Sequence, residues 1–153
     1  MDELEDFLAS TLDRQIQAEE AIHNGDRIPR LKMWSVKDPL TLFGSYGPIK
    51  RGSHDVTRTF WWVASLFSNC TEYNYELIAA GVSGDLAYTV GLEHSTRSVR
   101  GSLQESATLR VTHIYRREDG EWKIVHRHGD IPPIYMSHHE ETFTSDSRII
   151  EFD

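Results

Sequence analysis

The chain has 153 residues, 39% of them hydrophobic and 26% charged, which suits one soluble domain around one core and excludes a catalytic domain joined to a regulatory one. No apolar run approaches the roughly 20 residues of a membrane span, and the acidic opening Met-Asp-Glu-Leu-Glu-Asp lacks the basic, then apolar, character of a secretory signal. A net charge of −8 argues against a nucleic-acid partner, and the single Cys70 excludes an internal disulfide or thiolate cluster, so a reducing cytoplasm is the expected setting.

Leu4, Phe7, Leu8, Leu12, Ile16 and Ile22 recur at helical spacing, which predicts an amphipathic helix over the first 24 residues. Asp2 and Glu5 form a capping-box pattern at its start, and Asn24-Gly25 supplies its stop. Asp26 caps a short second helix carrying Ile28, Leu31 and Trp34, which ends at Lys37-Asp38-Pro39 because the residue before a proline is pushed out of the helical region. Leu40 to Phe43 reads as a strand, Gly44 to Pro48 as a loop presenting Tyr46, and Ser53 as the cap of a third helix with Val56, Phe60, Val63 and Phe67 on one stripe.

From Tyr73 the period changes to two, through Tyr75, Leu77 and Ala79. Ser83-Gly84-Asp85 turns into a strand from Leu86 to His94, and a Ser/Thr/Arg-rich loop is expected over about 95–102. A strand from Glu105 to Arg116 then turns at 117–120 into a last strand, Trp122 to His128. Three helices followed by an antiparallel meander predict an α+β fold with helices on one face of a curved sheet and a cavity between the layers. The domain is expected over 1–130, with 131–153 as an irregular tail.

Asn24-Gly25-Asp26 between two helices, Trp34 followed by Asp38-Pro39-Leu40-Thr41-Leu42-Phe43-Gly44, and the run Arg110-x-Thr112…Arg116-Arg117-x-x-Gly120-x-Trp122-x-Ile124-x-His126-x-His128 resemble the nuclear transport factor 2-like superfamily. Within it the pattern is most similar to SnoaL-like, ketosteroid-isomerase-homologue domains. The final hairpin also resembles the association domain of calcium/calmodulin-dependent protein kinase II. The resemblance implies a cone-shaped, cystatin-like α+β fold, a homodimer through the outer sheet face, and a pocket used for isomerisation, cyclisation, hydrolysis or binding alone. Steroid-isomerase chemistry does not carry over: the family's tyrosine falls near Ala18 and its catalytic aspartate near Gly44, while Asp38 reads as a cap or turn residue.

Residues two apart on a strand share a face, so Arg110 and Thr112 on one strand and His126 and His128 on the next are expected to form one polar patch. Facing inward, that patch would be a pocket floor, with His126 or His128 carrying a proton and Arg110 stabilising an anion or enolate; catalytic duty is assigned to these three. The open alternatives are a ligand site without chemistry, or a hydrogen-bond network that merely orders the sheet. Trp34, Phe43, Tyr46, Phe60, Tyr88 and Thr112 are the expected ligand-binding residues, the aromatics also being natural core. A third ligand for His126 and His128, from His94 or His113, lacks a supporting carboxylate pattern, so neither metal nor organic cofactor is expected. The sequence therefore predicts a pocket protein for a small, partly apolar carbonyl or carboxylate compound, acting as a cofactor-independent acid/base enzyme or as a ligand-binding or oligomerisation module. A homodimer is expected through outward apolar residues such as Leu109 and Val111.

Overall fold

The computed structural model describes residues 2–133, so most of the expected tail lies outside the described residues. Asp2 accepts the Glu5 amide proton at 2.8 Å and opens α1 (Glu3–Ile22). Gly25, at a φ of +86° that a side chain would strain, turns the chain, and Asp26 accepts the Ile28 amide at 3.0 Å to start α2 (Ile28–Met33). Trp34 leaves α2 in extended backbone and bridges to Ile124. The edge hairpin β1 (Thr41–Phe43) and β2 (Ile49–Arg51) encloses the Tyr46 loop. Asp38 accepts the Ser53 amide at 2.8 Å, capping α3 (Ser53–Leu66) from outside the helix. β3 (Phe67–Ser83), β4 (Leu86–Val99), β5 (Glu105–Glu118) and β6 (Glu121–Asp130) complete the chain.

The strand order is β2-β1-β6-β5-β4-β3, antiparallel throughout except that β1 runs parallel to β6. The helices cover one face of this sheet. Phe7, Ile22, Trp34, Phe60, Tyr115 and Ile124 are all at most 2% exposed and form the core between the layers. Phe7 meets the rings of Tyr115 and Trp122 edge-on at 5.0 and 5.1 Å, which locks α1 onto the central strands.

Three features depart from the sequence expectations. β3 begins at Phe67, directly after α3, and β4 runs on to Val99 through the segment expected to be a loop. The inward positions there are Ser95 and Arg97, both buried, so polar lining made a strand read as a turn-rich stretch. The third is strand parity. On β5 the buried set is Leu109, Val111, His113 and Tyr115, which leaves Arg110 and Thr112 on the outer face and removes Leu109 and Val111 from any dimer surface. On β6 a bulge intervenes: Tyr115 pairs with Ile124 but Ile114 pairs with His126, so Val125 is an extra residue. Trp122 and Ile124 point inward before it; Val125, Arg127 and Gly129 are the buried residues after it. His126 and His128 are thereby turned to the outer face.

Candidate functional site

The inner face carries a buried charged network that draws on both helices and sheet. Glu19 on α1 accepts from Arg30 on α2 and, at 3.1 Å, from Arg127 Nη1 on β6. Arg127 Nη2 donates to Glu93 Oε1 on β4 at 3.2 Å, and Tyr73 OH on β3 donates to Glu93 Oε2 at 2.6 Å. Burial pushes the Glu19 carboxyl up, but the Arg127 and Arg30 guanidiniums outweigh it and hold Glu19 well below the ordinary carboxylate range. Glu93 follows the same balance: burial raises it, and Arg127 wins. Burial alone would lower Arg127, yet the two carboxylates raise it. His113 receives Arg127 Nη1–H on Nε2 at 3.3 Å, and burial, only partly opposed by Glu19, lowers its pKa and favours the neutral ring.

His23, at the C-terminal end of α1 and 4% exposed, sits at the edge of this network. Its Nδ1 lies 2.6 Å from the Glu19 carbonyl oxygen, which can only accept, so Nδ1 carries a proton, and Nε2 faces Glu93 Oε1 at 3.8 Å. His23, Arg30, Glu93, Arg97 and Arg127 form the polar wall of a chamber of about 50 Å³, and Leu42, Tyr46, Val63, Phe67 and Leu109 form its apolar wall. Tyr46, Pro48, Thr59 and Trp62 belong both to this chamber and to an adjoining cleft of about 420 Å³ toward Lys50, Asp55 and Arg58. The chamber and the cleft share Tyr46 and Trp62 as an aromatic boundary beside α3, and the chamber itself offers a ligand both a polar and an apolar wall.

The residues singled out from the sequence gather elsewhere. Arg110 is bound in a bidentate pair to Asp130, at 2.7 and 2.8 Å, with half its side chain exposed. That partner raises Arg110 and lowers Asp130. His126 Nδ1 is hydrogen-bonded to Thr41 Oγ1 at 2.6 Å, and Phe43 packs edge-on against the rings of both His126 and His128. Burial, then the neighbouring His128, lowers His126. The expected patch of Arg110, Thr112, His126 and His128 does assemble, but on the face away from the helices. Of the expected ligand-binding residues, Tyr46 reaches the chamber; Trp34 and Phe60 are core, Phe43 belongs to the outer cluster, and Tyr88 is 44% exposed on the outer face. His94 bonds Thr108 on that face while His113 is buried on the other, so the two do not converge with His126 and His128. No group of three or more His, Cys, Asp or Glu among the described residues is arranged to hold a metal ion.

Glu19, His23, Arg30, Glu93, Arg97 and Arg127 were not legible as a site because they come from α1, α2, β4 and β6 and share no motif. Two local signals existed. Glu19 lies on the apolar stripe of α1, three residues from both Ile16 and Ile22, and the adjacent apolar pair Ile124-Val125 breaks the alternation of β6.

The model for the SnoaL-like domain matches residues 14–134. The chain belongs to the SnoaL-like domain family. Among solved structures it is similar to a nuclear transport factor 2-like superfamily protein from Salmonella enterica serovar Typhimurium, with a TM-score of 0.65, 20% identity and coverage of 80% of this chain and 86% of that one. An uncharacterised protein with a cystatin-like fold from Caulobacter vibrioides gives 0.65 at 15% identity, covering 94% and 99%. The calcium/calmodulin-dependent protein kinase II hub homology domain of Chlamydomonas reinhardtii gives 0.63 at 16% identity, covering 82% and 98%. At these identities the likeness establishes the nuclear transport factor 2-like, cystatin-like fold of this SnoaL-like chain. A comparison with curated proteins finds no match. No helix among the described residues is long and apolar enough to cross a membrane.

Proposed function

We propose that this SnoaL-like domain binds a small, partly apolar carbonyl or carboxylate compound in the chamber and acts on it by cofactor-independent acid/base chemistry. The observation that carries the reading is His23. Its Nδ1–H is committed to the Glu19 carbonyl, which leaves Nε2 as the ring nitrogen able to exchange a proton at the chamber wall, facing the Glu93 carboxylate at 3.8 Å. Guanidiniums in the same wall stabilise an enolate oxygen, and the apolar wall lowers the local dielectric that makes such stabilisation effective. The outer cluster of Arg110, His126 and His128 is assigned no part in this step.

The test is α-proton exchange. A panel of small ketones and keto acids in D₂O, followed by proton NMR, should show catalysed loss of α-proton signal that His23→Gln lowers by about 10²–10⁴-fold. Binding without exchange favours the alternative, a ligand-binding module; no binding by any member refutes the pocket reading altogether.

The likeness to a kinase hub homology domain supports self-association. We place a homodimer contact on the outer sheet face, where Leu86, Tyr88 and Ile114 lie together at 53%, 44% and 37% exposure. Light scattering should give twice 17.6 kDa, and Ile114→Lys should give the monomer. The cytoplasmic setting is part of the same proposal, supported by the one unpaired thiol of Cys70.

A further inference from the structure

Among the described residues, five with ionic side chains other than histidine are buried: Glu19, Arg30, Glu93, Arg97 and Arg127. Both carboxylates are held ionised, so three guanidiniums face two anions and the interior carries one positive charge more than it neutralises. The charge left over is that of Arg97. Arg30 and Arg127 each bond directly to a buried glutamate. Arg97, with 2% of its side chain exposed, makes one hydrogen bond among the described residues, from Nη1 to the Glu105 carbonyl at 3.3 Å. The Glu105 carboxylate stands off at 3.8 Å and is 66% exposed, so water screens it. Arg97 Nε has no partner among the described residues, and the guanidinium lies over the Phe67 ring at 5.5 Å, on the chamber wall.

A buried guanidinium that leaves most of its five donors unused is costly for folding unless an anion completes it. We infer that Arg97 is the receptor of a monoanionic head group, a carboxylate bound in a bidentate way, and that the ligand of this chamber is an organic monoanion with its apolar body against Phe67, Leu109 and Trp62. This inference rests on the pocket reading above and narrows its ligand to the anionic members of that class. The carboxylate supplies the two acceptors that match the guanidinium fork, while the chamber of about 50 Å³ admits a head group of that size and passes the remainder to the cleft.

The experiment compares hexanoate and benzoate with hexanamide and benzamide, by calorimetry and by thermal melting of the intact chain. Wild type should bind the carboxylates at least about tenfold more tightly than the amides. Arg97→Met should erase that preference by weakening the carboxylates at least about tenfold more than the amides. It should also melt at or above the wild-type temperature without ligand, because it removes an uncompensated buried charge. A structural arginine would instead lower the melting temperature and leave the preference intact, which overturns the inference. Equal binding of the two series by wild type overturns it while sparing the pocket reading, whereas binding of neither series at millimolar concentration overturns both. Should Arg97→Met not fold, Arg97→Lys, which keeps the charge and loses the fork, must weaken the carboxylates alone; unchanged carboxylate affinity in that variant refutes the receptor assignment.

Discussion

Arg127→Met removes the guanidinium that joins two elements of sheet to α1, and the two carboxylates it serves are not equally exposed to the loss. Glu19 keeps the direct bond from Arg30, whereas Glu93 keeps only the Tyr73 hydroxyl and His23 at 3.8 Å. With burial no longer opposed by Arg127, the Glu93 carboxyl takes up a proton. Protonating a glutamate of reference pKa roughly 4.3 costs about 3.7 kcal/mol at pH 7 and about 1 kcal/mol at pH 5. Breaking a buried pair by removing one partner generally costs about 3–5 kcal/mol, so the Glu93 part accounts for most of the expected loss at neutral pH. In wild type both carboxylates have depressed pKa values, so their contribution is present above roughly pH 4.3 and is lost as the pH falls through the folded values. In the variant the sign for Glu93 reverses, and stability falls as pH rises. Urea unfolding at pH 5 and pH 7 should therefore show a wild-type to variant gap of about 3–5 kcal/mol at pH 7 that narrows by about 2–3 kcal/mol at pH 5, with Glu93→Gln restoring part of it at pH 7. A gap below about 1 kcal/mol, or one that does not change with pH, would show that the network does not bear on stability as described.

His113 has a folded pKa below its free value of roughly 6.5, so the unfolded chain binds that proton first and stability declines as pH falls below about 6.5; urea midpoints of His113→Phe should be flatter than wild type from pH 6.5 to 5. Arg110→Ala breaks a surface pair and should cost no more than about 1 kcal/mol, leaving binding in the chamber unchanged by calorimetry. Asp38→Ala removes the acceptor for the Ser53 amide and should lower stability by about 1 kcal/mol in the same unfolding assay, with far-UV helicity retained.

The elements that lay legible in the sequence are those whose burial is apolar and periodic. The stripe of Phe7 and Ile22, the Asp2 cap, the Asp26 cap and the hairpin turn before Trp122 all follow from local chemistry, and together they specify the order of layers. What stayed hidden follows from the site. Ser95 and Arg97 are buried inward positions and Arg97 lines the chamber, so β4 loses its apolar alternation along this stretch. β2 is three exposed residues, Ile49 to Arg51, on a sheet edge and has no buried face to announce it. Glu19, Glu93 and Arg127 are isolated in sequence and meet only through tertiary packing, which no spacing rule encodes.

The extra residue at Val125 also bears on how this domain is compared with its relatives. Side chains on β6 beyond that point alternate with opposite phase to those before it. Alignment with a relative lacking the insertion, made without a gap, would match Arg127 to outward positions and carry His126 and His128 into the cavity by error. Loss of the Val125 codon would join Ile124 directly to His126 and restore regular alternation, leaving Arg127 inward and both histidines outward. The lining of the cavity therefore survives loss of this one residue, whereas straightening the strand with every residue kept would turn His126 and His128 inward in place of Arg127.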